Sequence, residues 1–164
     1  MYALIFSDSH GKTKNMQEII DRQGGDLHAV FFLGDGLRDV DSLDSGSSEL
    51  YYVRGNCDVF APLAEDEELV FFGGVRIFMT HGHRYSVKSG YSAAAEKALR
   101  KGADILLFGH THQPLCVLIN EGEKIGDTVA KKDLWIFNPG SIEEGHFGLL
   151  TVRNSKILLN NASI

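Results

Sequence analysis

Cysteine, proline and long apolar runs are all scarce in this 164-residue sequence. The two cysteines allow at most one disulfide, which excludes a disulfide-stapled fold and favours reduced thiols in the cytoplasm. No apolar run approaches the roughly 18 residues of a membrane-spanning helix. The first residues carry no basic region or cleavage signal of a secretory leader. The sequence therefore predicts a cytoplasmic protein with no membrane partner.

Positive charge is also scarce, because 16 basic residues stand against 22 acidic ones for a net charge of −6. A broad cationic surface for nucleic acid is therefore not expected. An anionic substrate would need a local positive charge that the side-chain count does not contain, and a metal ion supplies one. The length is close to the roughly 150 residues of one domain, so we expect a single globular domain over residues 1–164.

The first half of the chain has the pattern of strands joined through a helix. Apolar runs over residues 2–6, 29–33 and 50–53 predict strands. Between the first two runs, apolar residues recur at helical spacing over residues 16–20, and two glycines end the helix. Residues 37–48 alternate Asp, Ser and Gly and predict a loop with one short helical turn. Continuous apolar strands joined in this way indicate a parallel sheet covered on both faces.

The second half adds a hairpin and a group of later strands. Residues 68–72 and 75–79 flank a Gly-Gly turn and predict a β-hairpin, and an alanine-rich helix follows over residues 91–101. After a strand at 105–108, the last third predicts antiparallel strands over residues 115–119, 135–137, 148–152 and 156–159. Parallel units followed by hairpins predict an α/β protein with two sheets packed face to face and helices outside.

Polar residues concentrate where five of these strands end. Each of the five finishes in a glycine-containing polar cluster, and together the clusters supply Asp8, His10, Asp35, Asn56, His81, His110 and His112. Ligands of α/β sheets bind beyond the carboxyl ends of the strands, so we expect these side chains to converge. Oxygen and imidazole donors without a thiolate suit one or two divalent metals. Turn formation or helix capping explains any single cluster, but not the placement of all five after strands.

The five clusters also have a distinctive order along the chain. From Asp8 to His112 they read Asp-x-His, Gly-Asp, Gly-Asn, His-Gly and Gly-His-x-His. This order resembles that of the calcineurin-like metallophosphoesterase superfamily. The short chain, with Gly-Asn-Cys-Asp at residues 55–58 and Asn-Pro-Gly-Ser at residues 138–141, is similar to the small YfcE-like phosphodiesterases of prokaryotes. The resemblance implies a four-layer α/β/β/α sandwich of two mixed β-sheets.

The same resemblance implies a dinuclear metal site with assigned ligands. By position, one ion would be held by Asp8, His10 and His112, a second by Asn56, His81 and His110, with Asp35 bridging the two. Mn²⁺ is the favoured ion, and Ni²⁺, Zn²⁺ or Fe²⁺ also suit these donors. Two ions about 3.5–4 Å apart would clamp the reacting oxygens while a hydroxide between them attacks phosphorus.

Four further residues near the motifs are candidates for other roles. His83 could donate a proton or contact the substrate, with a solvated loop residue as the alternative. Arg54 could meet a phosphate or pair with a surface acid, and Asp58 could orient a ligand histidine or cap a turn. Cys57 stands where many superfamily members carry a histidine thought to protonate the leaving group. We expect a small buried residue there, and weak hydrolysis of esters with poor leaving groups.

Two functions from different classes follow from these observations. The first is a metal-dependent phosphodiesterase that hydrolyses a small or nucleotide-like phosphodiester. The second is a metal-poor protein-interaction scaffold with the same fold, as in the retromer subunit that resembles this family. The intact set of seven donors favours the enzyme. The acidic balance argues against nucleic acid, and exposed hairpin edges leave a homodimer open.

Overall fold

The computed structural model describes residues 1–164 and contains twelve strands and three α-helices. The strands are β1 (Tyr2–Phe6), β2 (Ala29–Phe32), β3 (Glu49–Tyr52), β4 (Glu67–Phe72), β5 (Val75–Thr80), β6 (Ile105–Phe108), β7 (Leu115–Ile119), β8 (Lys124–Ile125), β9 (Thr128–Val129), β10 (Leu134–Asn138), β11 (His146–Arg153) and β12 (Lys156–Ser163). The helices are α1 (Thr13–Gln23), α2 (Leu37–Val40) and α3 (Ser92–Arg100), and 3₁₀ turns cover Gly24–Asp26, His83–Tyr85, Val87–Ser89 and Ile142–Glu144. No helix has the length and apolar character needed to cross a membrane.

Ten of the strands form two mixed sheets of five strands each. The first sheet has the order β12-β11-β1-β2-β3, in which β1, β2 and β3 are parallel and β11 runs antiparallel to β1. The second has the order β4-β5-β6-β10-β7, in which β5, β6 and β10 are parallel. The remaining strands, β8 and β9, pair with each other as a small hairpin.

Alternating side chains of the strands build three apolar layers. In β2, Ala29 and Phe31 belong to the core between the sheets, whereas Val30 and Phe32 pack on the opposite face, because side chains alternate along a strand. That outer face is covered by the apolar stripe of α1, and the buried alanines of α3 cover the outer face of the second sheet. The resulting layers are helix, sheet, sheet and helix, which is the predicted α/β/β/α sandwich.

The strands of the last third pair with one another antiparallel, as predicted, but one of them also has a parallel neighbour that the sequence did not predict. The strand expected at residues 135–137 lies parallel to β6 on one side and antiparallel to β7 on the other. The reason is the connection over residues 120–133, which contains the β8–β9 hairpin and brings the chain back beside β6 before β10 begins. The short strands of that hairpin have no apolar pattern of their own.

The topology places the predicted motifs at one edge of the sandwich. Motifs follow β1, β2 and β3 in the first sheet and β5 and β6 in the second, and the strands of each set are parallel. Backbone hydrogen bonds join the segments within each set, from Asp8 to Gly34 at 3.0 Å and from Gly109 to His81 at 3.1 Å. The carboxyl ends of both parallel sets therefore lead into one region.

Candidate metal centre

Six of the seven predicted donors lie in two adjacent groups in this region. Within each group the ligand atoms lie within 4.8 Å of one another: Asp8, His10 and His112 form the first group, and Asp35, His81 and His110 form the second. The members come from the segments after β1, β2, β5 and β6, so the first sheet supplies both carboxylates and one imidazole, and the second sheet supplies the other three imidazoles.

Asp8 connects the two groups through a buried carboxylate. Its Oδ2 accepts hydrogen bonds from Ser7 Oγ at 2.5 Å and from the backbone N–H of His110 at 3.0 Å. Its Oδ1 is buried without a hydrogen-bond partner, and it lies 3.2 Å from His112 Nε2 and 3.9 Å from His81 Nε2. Because a buried anionic oxygen without a donor is costly, this atom fits a position beside a cation.

His81 is held in a tautomer that leaves one nitrogen free for a metal. Its Nδ1 lies 2.7 Å from the carbonyl oxygen of Leu33, and since a carbonyl only accepts, we assign the proton to this nitrogen. Its Nε2 lies 3.3 Å from Asp35 Oδ2 and 3.2 Å from His110 Nδ1. The backbone contact behind the ring thus orients Nε2 towards the other donors, as the partners of metal-binding histidines do.

The charges around His81 favour a cation at the same place. Burial lowers the pKa of His81, but the nearby carboxylates of Asp35 and Asp8 outweigh burial and raise it above its ordinary value. Burial raises the pKa of Asp35, and its hydrogen bonds with His81 and Cys57 more than reverse this and hold that pKa well below its usual range. Burial and the neighbouring His81 lower the pKa of His110 to about 4. The region therefore attracts positive charge without having a lysine or arginine among the six donors.

The backbone of the two groups is strained at most of its members. The φ angle is 54° at Asp8, 42° at His10, 59° at Asp35, 67° at His110 and 60° at His112. This left-handed conformation costs a non-glycine residue roughly 1–2 kcal/mol. Outside the two groups, the non-glycine residues that adopt it are Ser86, Asn154 and Ser155. Concentrated strain of this kind is typical of functional sites, where the surrounding structure enforces it.

Two glycines let neighbouring loops approach the carboxylates closely. A Cβ atom on Gly109 would lie 1.9 Å from Ser7 Oγ and 3.0 Å from Asp8 Oδ2. A Cβ atom on Gly55 would lie 2.1 Å from Asp35 Oδ1. Either contact would displace a carboxylate or its partner, so both positions require glycine for steric reasons.

Asp58 fixes the loop that carries Asp35. Its Oδ2 accepts from the backbone N–H groups of Asp35 at 2.7 Å and Gly55 at 2.9 Å. Its Oδ1 accepts from Gly36 and Leu37, each at 2.9 Å, where α2 begins. These four bonds take up the lone pairs of the carboxylate, which corrects the hypothesis that Asp58 orients a ligand histidine.

The turn after β10 supports both groups, and its residues were not among the predicted site residues. Asn138 Nδ2 donates to the carbonyl oxygen of Gly109 at 2.9 Å, and Ser141 Oγ donates to that of Asp8 at 2.8 Å. Both side chains are fully buried. The Asn-Pro-Gly-Ser motif was the available signal, but a turn motif does not reveal which distant backbone it will bind.

Asn56 and Cys57 lie beside Asp35 on the loop after β3. The backbone N–H of Cys57 donates to Asp35 Oδ1 at 2.7 Å, and the exposed amide of Asn56 donates to Cys57 Sγ at 3.3 Å. The role of Asn56 as a metal ligand stays a prediction. Cys57 is exposed, which corrects the expectation of a buried residue, because Asp35 uses its backbone and leaves the side chain at the surface.

Arg54 is engaged by a carboxylate outside the two groups. Its Nη2 lies 3.0 Å from Asp66 Oδ1 and 3.1 Å from Oδ2, and Arg84 binds the same carboxylate at 2.7 Å. Of the two roles considered for Arg54, the structure shows the ion pair with an acid, and a phosphate contact stays a prediction. The bidentate geometry makes this a specific contact rather than a diffuse attraction.

His83 lies next to the second group. Its ring centroid is 5.5 Å from that of His81 and 6.3 Å from that of His110. Its Nδ1 is buried and has no hydrogen-bond partner. Burial, followed by the charge of His81, lowers the pKa of His83, so its ring is neutral near pH 7. An unpartnered ring nitrogen at this position is available to a ligand, and its role in catalysis stays a prediction.

Comparison with protein families and curated proteins gives a consistent result. The family model described as the calcineurin-like phosphoesterase superfamily domain matches residues 1–155. A Bacillus subtilis protein named "Probable metallophosphoesterase YsnB" is 33% identical over 142 residues, which cover 87% of this chain and 75% of that protein. A Mycoplasma pneumoniae protein named "Probable metallophosphoesterase" is 27% identical over 143 residues, which cover 85% and 78% of the two chains.

Solved structures show the same fold. A conserved protein of Streptococcus pneumoniae described as a predicted phosphoesterase superposes with a TM-score of 0.74 at 25% identity, covering 99% of this chain and 88% of that one. Vps29 of Entamoeba histolytica, solved in complex with Zn²⁺, has a TM-score of 0.69 at 20% identity and covers 99% of both chains. The second likeness concerns the fold alone. From the match over residues 1–155 and the relative at 33% identity, it follows that this chain belongs to the calcineurin-like phosphoesterase superfamily.

Proposed function

We propose that this protein is a divalent-metal-dependent phosphodiesterase that hydrolyses a small or nucleotide-like phosphodiester. Membership of the calcineurin-like phosphoesterase superfamily and the relatives named probable metallophosphoesterases support a phosphoesterase activity. The observation that carries the metal dependence is the buried Oδ1 of Asp8, which has no donor and faces imidazole nitrogens of both groups. Oxygen and imidazole donors converging on such an atom are compatible with Mn²⁺, Ni²⁺, Zn²⁺ or Fe²⁺, and the family resemblance favours Mn²⁺ among them.

Each group would hold one ion. Asp8, His10 and His112 would bind the first, His81 and His110 the second, with Asp35 shared between them and Asn56 completing the second. When bound, the two ions would polarise the phosphoryl oxygens and lower the pKa of a coordinated water. The protein contributes rigidity, because Leu33 orients His81 and Asp58 holds the backbone of Asp35.

The residues available to help the leaving group are weak acids. His83 is neutral near pH 7, so it can donate one N–H to a departing oxygen but is a weaker proton donor than an imidazolium. Partial burial and the neighbouring Asp35 raise the pKa of Cys57 to about 11, so its thiol stays protonated and loses its proton reluctantly. We therefore expect efficient hydrolysis only of esters whose leaving group needs little protonation.

A cleft beside the two groups supports a diester rather than a monoester. It has a volume of about 690 Å³ and is lined by His10 and Asp35. A diester keeps an organic group on phosphorus in addition to the leaving group, and this cleft would hold that group. A diester also carries a single negative charge, so it needs less positive charge from the protein than a doubly charged monoester. This suits a region where Arg54 is already bound to Asp66.

The test is a comparison of two substrates with the same leaving group. With Mn²⁺ added, kcat/KM for bis(4-nitrophenyl) phosphate should exceed that for 4-nitrophenyl phosphate by about tenfold or more. Chelation by EDTA should abolish both activities, and added Mn²⁺ should restore them. A preference for the monoester, or activity that survives chelation, would contradict the proposal.

A protein-interaction scaffold is the second candidate. The fold likeness to Vps29 and the exposed side chains of Phe60 and Leu63 near the two groups favour it. The presence of six clustered donors favours the enzyme, since a scaffold has no need to keep them. Failure to bind any divalent ion would favour the scaffold.

Location and partners complete the proposal. We place the protein in the cytoplasm, where its two free thiols would remain reduced, and expect neither membrane nor nucleic-acid partners. The edge strands β4 and β7 of the second sheet would allow a homodimer. The expectation that nucleic acid is not a partner is tested by a salt titration of any binding, because contacts to phosphate weaken steeply with salt.

A further inference from the structure

The cleft beside His10 and Asp35 has an apolar and strongly exposed outer wall. The wall is the loop over residues 57–64, which follows β3. Its Phe60 is 74% exposed and its Leu63 is 95% exposed. The cleft volume, about 690 Å³, lies in the range of small-molecule sites. Large apolar side chains left in solvent at the mouth of such a cleft indicate a ligand surface.

Arg38 and Phe60 form a stacked pair in this cleft. The guanidinium carbon of Arg38 lies 4.2 Å from the centroid of the Phe60 ring, which is the geometry of a cation–π contact. Arg38 lies on α2 and Phe60 on the loop after β3, and Asp58 binds the start of α2 at the N–H of Leu37. The carboxylate that positions Asp35 therefore also positions this pair.

Charges in the cleft leave Arg38 as the cation that faces a ligand. Asp39 is occupied, because its Oδ2 accepts from Ser9 Oγ at 2.6 Å and from the N–H of Gly11 at 2.8 Å. Asp58 is occupied by its four backbone donors. Arg38 contacts the Phe60 ring rather than a carboxylate, so its guanidinium keeps donors for a phosphate and a flat face for a ring.

We propose that Arg38 and Phe60 are the specificity-determining residues of this protein and select phosphodiesters with a planar aromatic group. The phosphate would lie at the two metal-binding groups, and the aromatic group would stack on the Arg38–Phe60 pair. This inference rests on the proposed function, because that function places a phosphoryl group next to Asp35. Asp35 lines this cleft, so an ester whose phosphate lies at the two metal-binding groups would extend directly into it. An aromatic ester is therefore a better occupant than a separate protein segment.

Binding of two matched phosphonates tests the pair without relying on turnover. Methyl phenylphosphonate and methyl cyclohexylphosphonate carry the same single negative charge and similar rings, and only the first ring is planar and aromatic. Their dissociation constants are measured by titration calorimetry with the Mn²⁺-loaded full-length protein. The wild type should bind the phenyl compound about two- to tenfold more tightly, which is the range of a favourable aromatic contact.

The variants Phe60→Leu and Arg38→Gln should each reduce this preference towards one. Phe71→Leu is the matched control, because Phe71 is also exposed beneath an arginine, Arg76, with the guanidinium carbon 5.4 Å from its ring centroid. Phe71 lies on β4, at the end of the hairpin away from His81, so its replacement should leave the preference unchanged.

The outcomes separate this inference from the proposed function. Equal binding of the two phosphonates, or a preference that survives Phe60→Leu, overturns the inference. If bis(4-nitrophenyl) phosphate is hydrolysed in that case, the proposed function still holds. If the phenyl preference depends on Phe60 but no phosphodiester is hydrolysed, the aromatic site is supported and the proposed function fails.

Discussion

The Oδ2 atom of Asp58 accepts a hydrogen bond of 2.7 Å from the backbone N–H of Asp35, so one carboxylate holds the backbone that presents another. Asp58 is 8% exposed, and Asp35 has a left-handed φ of 59°. The hydrogen bonds to Asp58 help to enforce a conformation that Asp35 would not adopt alone. The side chain of Asp35 is thereby aimed at His81.

Replacing Asp58 with Asn should destabilise the protein and loosen the second group. The amide keeps one oxygen and turns an NH₂ group towards backbone N–H donors that then lack an acceptor. We expect a loss of about 3–5 kcal/mol in the free energy of unfolding, measured by urea denaturation. Asp41→Asn is the control, because Asp41 is exposed at the end of α2. Equal stability of the two variants would show that the four hydrogen bonds to the Asp58 carboxylate do not stabilise the folded protein.

Replacing Gly109 with Ala should weaken Mn²⁺ binding through a steric effect. The new Cβ would lie 1.9 Å from Ser7 Oγ, which is the donor to Asp8 Oδ2, so the carboxylate must move. Overpacking of this kind costs about 1–3 kcal/mol, and we expect the dissociation constant for Mn²⁺ to rise by about tenfold or more. Gly25→Ala is the control, since a Cβ there would meet no atom within 4 Å. Unchanged Mn²⁺ affinity in the Gly109 variant would show that the Asp8 carboxylate is not a ligand.

Replacing Asp35 with Ala should reduce activity more completely than replacing His83. Asp35 is proposed to be shared by both ions, so its loss should bring hydrolysis of bis(4-nitrophenyl) phosphate to the background rate. His83→Gln keeps the ions and loses a hydrogen bond to the leaving group, for which we expect a decrease in kcat of only about fivefold to tenfold, because 4-nitrophenolate needs little protonation. If the Asp35 variant kept wild-type turnover, Asp35 would not be the ligand that the two ions share.

Elements with a strong local signal could be predicted from the sequence. Residues 29–32 are continuously apolar because β2 is buried on both faces, and Met16, Ile19 and Ile20 mark the buried stripe of α1. The parallel position of β10 could not be predicted, since it depends on where a connection of irregular structure returns the chain. Strand pairing of this kind is decided by tertiary packing, which leaves no periodic pattern in the strand itself.

The candidate site also contains features that could be predicted from the sequence and features that could not. Donors such as Asp8 and His112 could be found because they follow apolar strands in a recognisable order. The hydrogen bond from Ser141 to the carbonyl oxygen of Asp8 could not be predicted, because the two residues lie 133 positions apart in the sequence. The exposure of Cys57 also lay beyond the sequence, because it depends on how the loop after β3 lies against Asp35, which accepts a hydrogen bond from the backbone N–H of Cys57.

The central claim is that the two groups of donors bind a pair of divalent ions, and titration of the metal-free protein with Mn²⁺ tests it most directly. Calorimetry should show two ions bound per chain, with both sites weakened in Asp35→Ala, because that carboxylate is shared. The same titration should raise the thermal unfolding temperature of the wild type, since a ligand that binds only the folded state stabilises it. A protein that binds neither Mn²⁺ nor Zn²⁺, Ni²⁺ or Fe²⁺, and whose unfolding temperature none of them changes, would contradict the account.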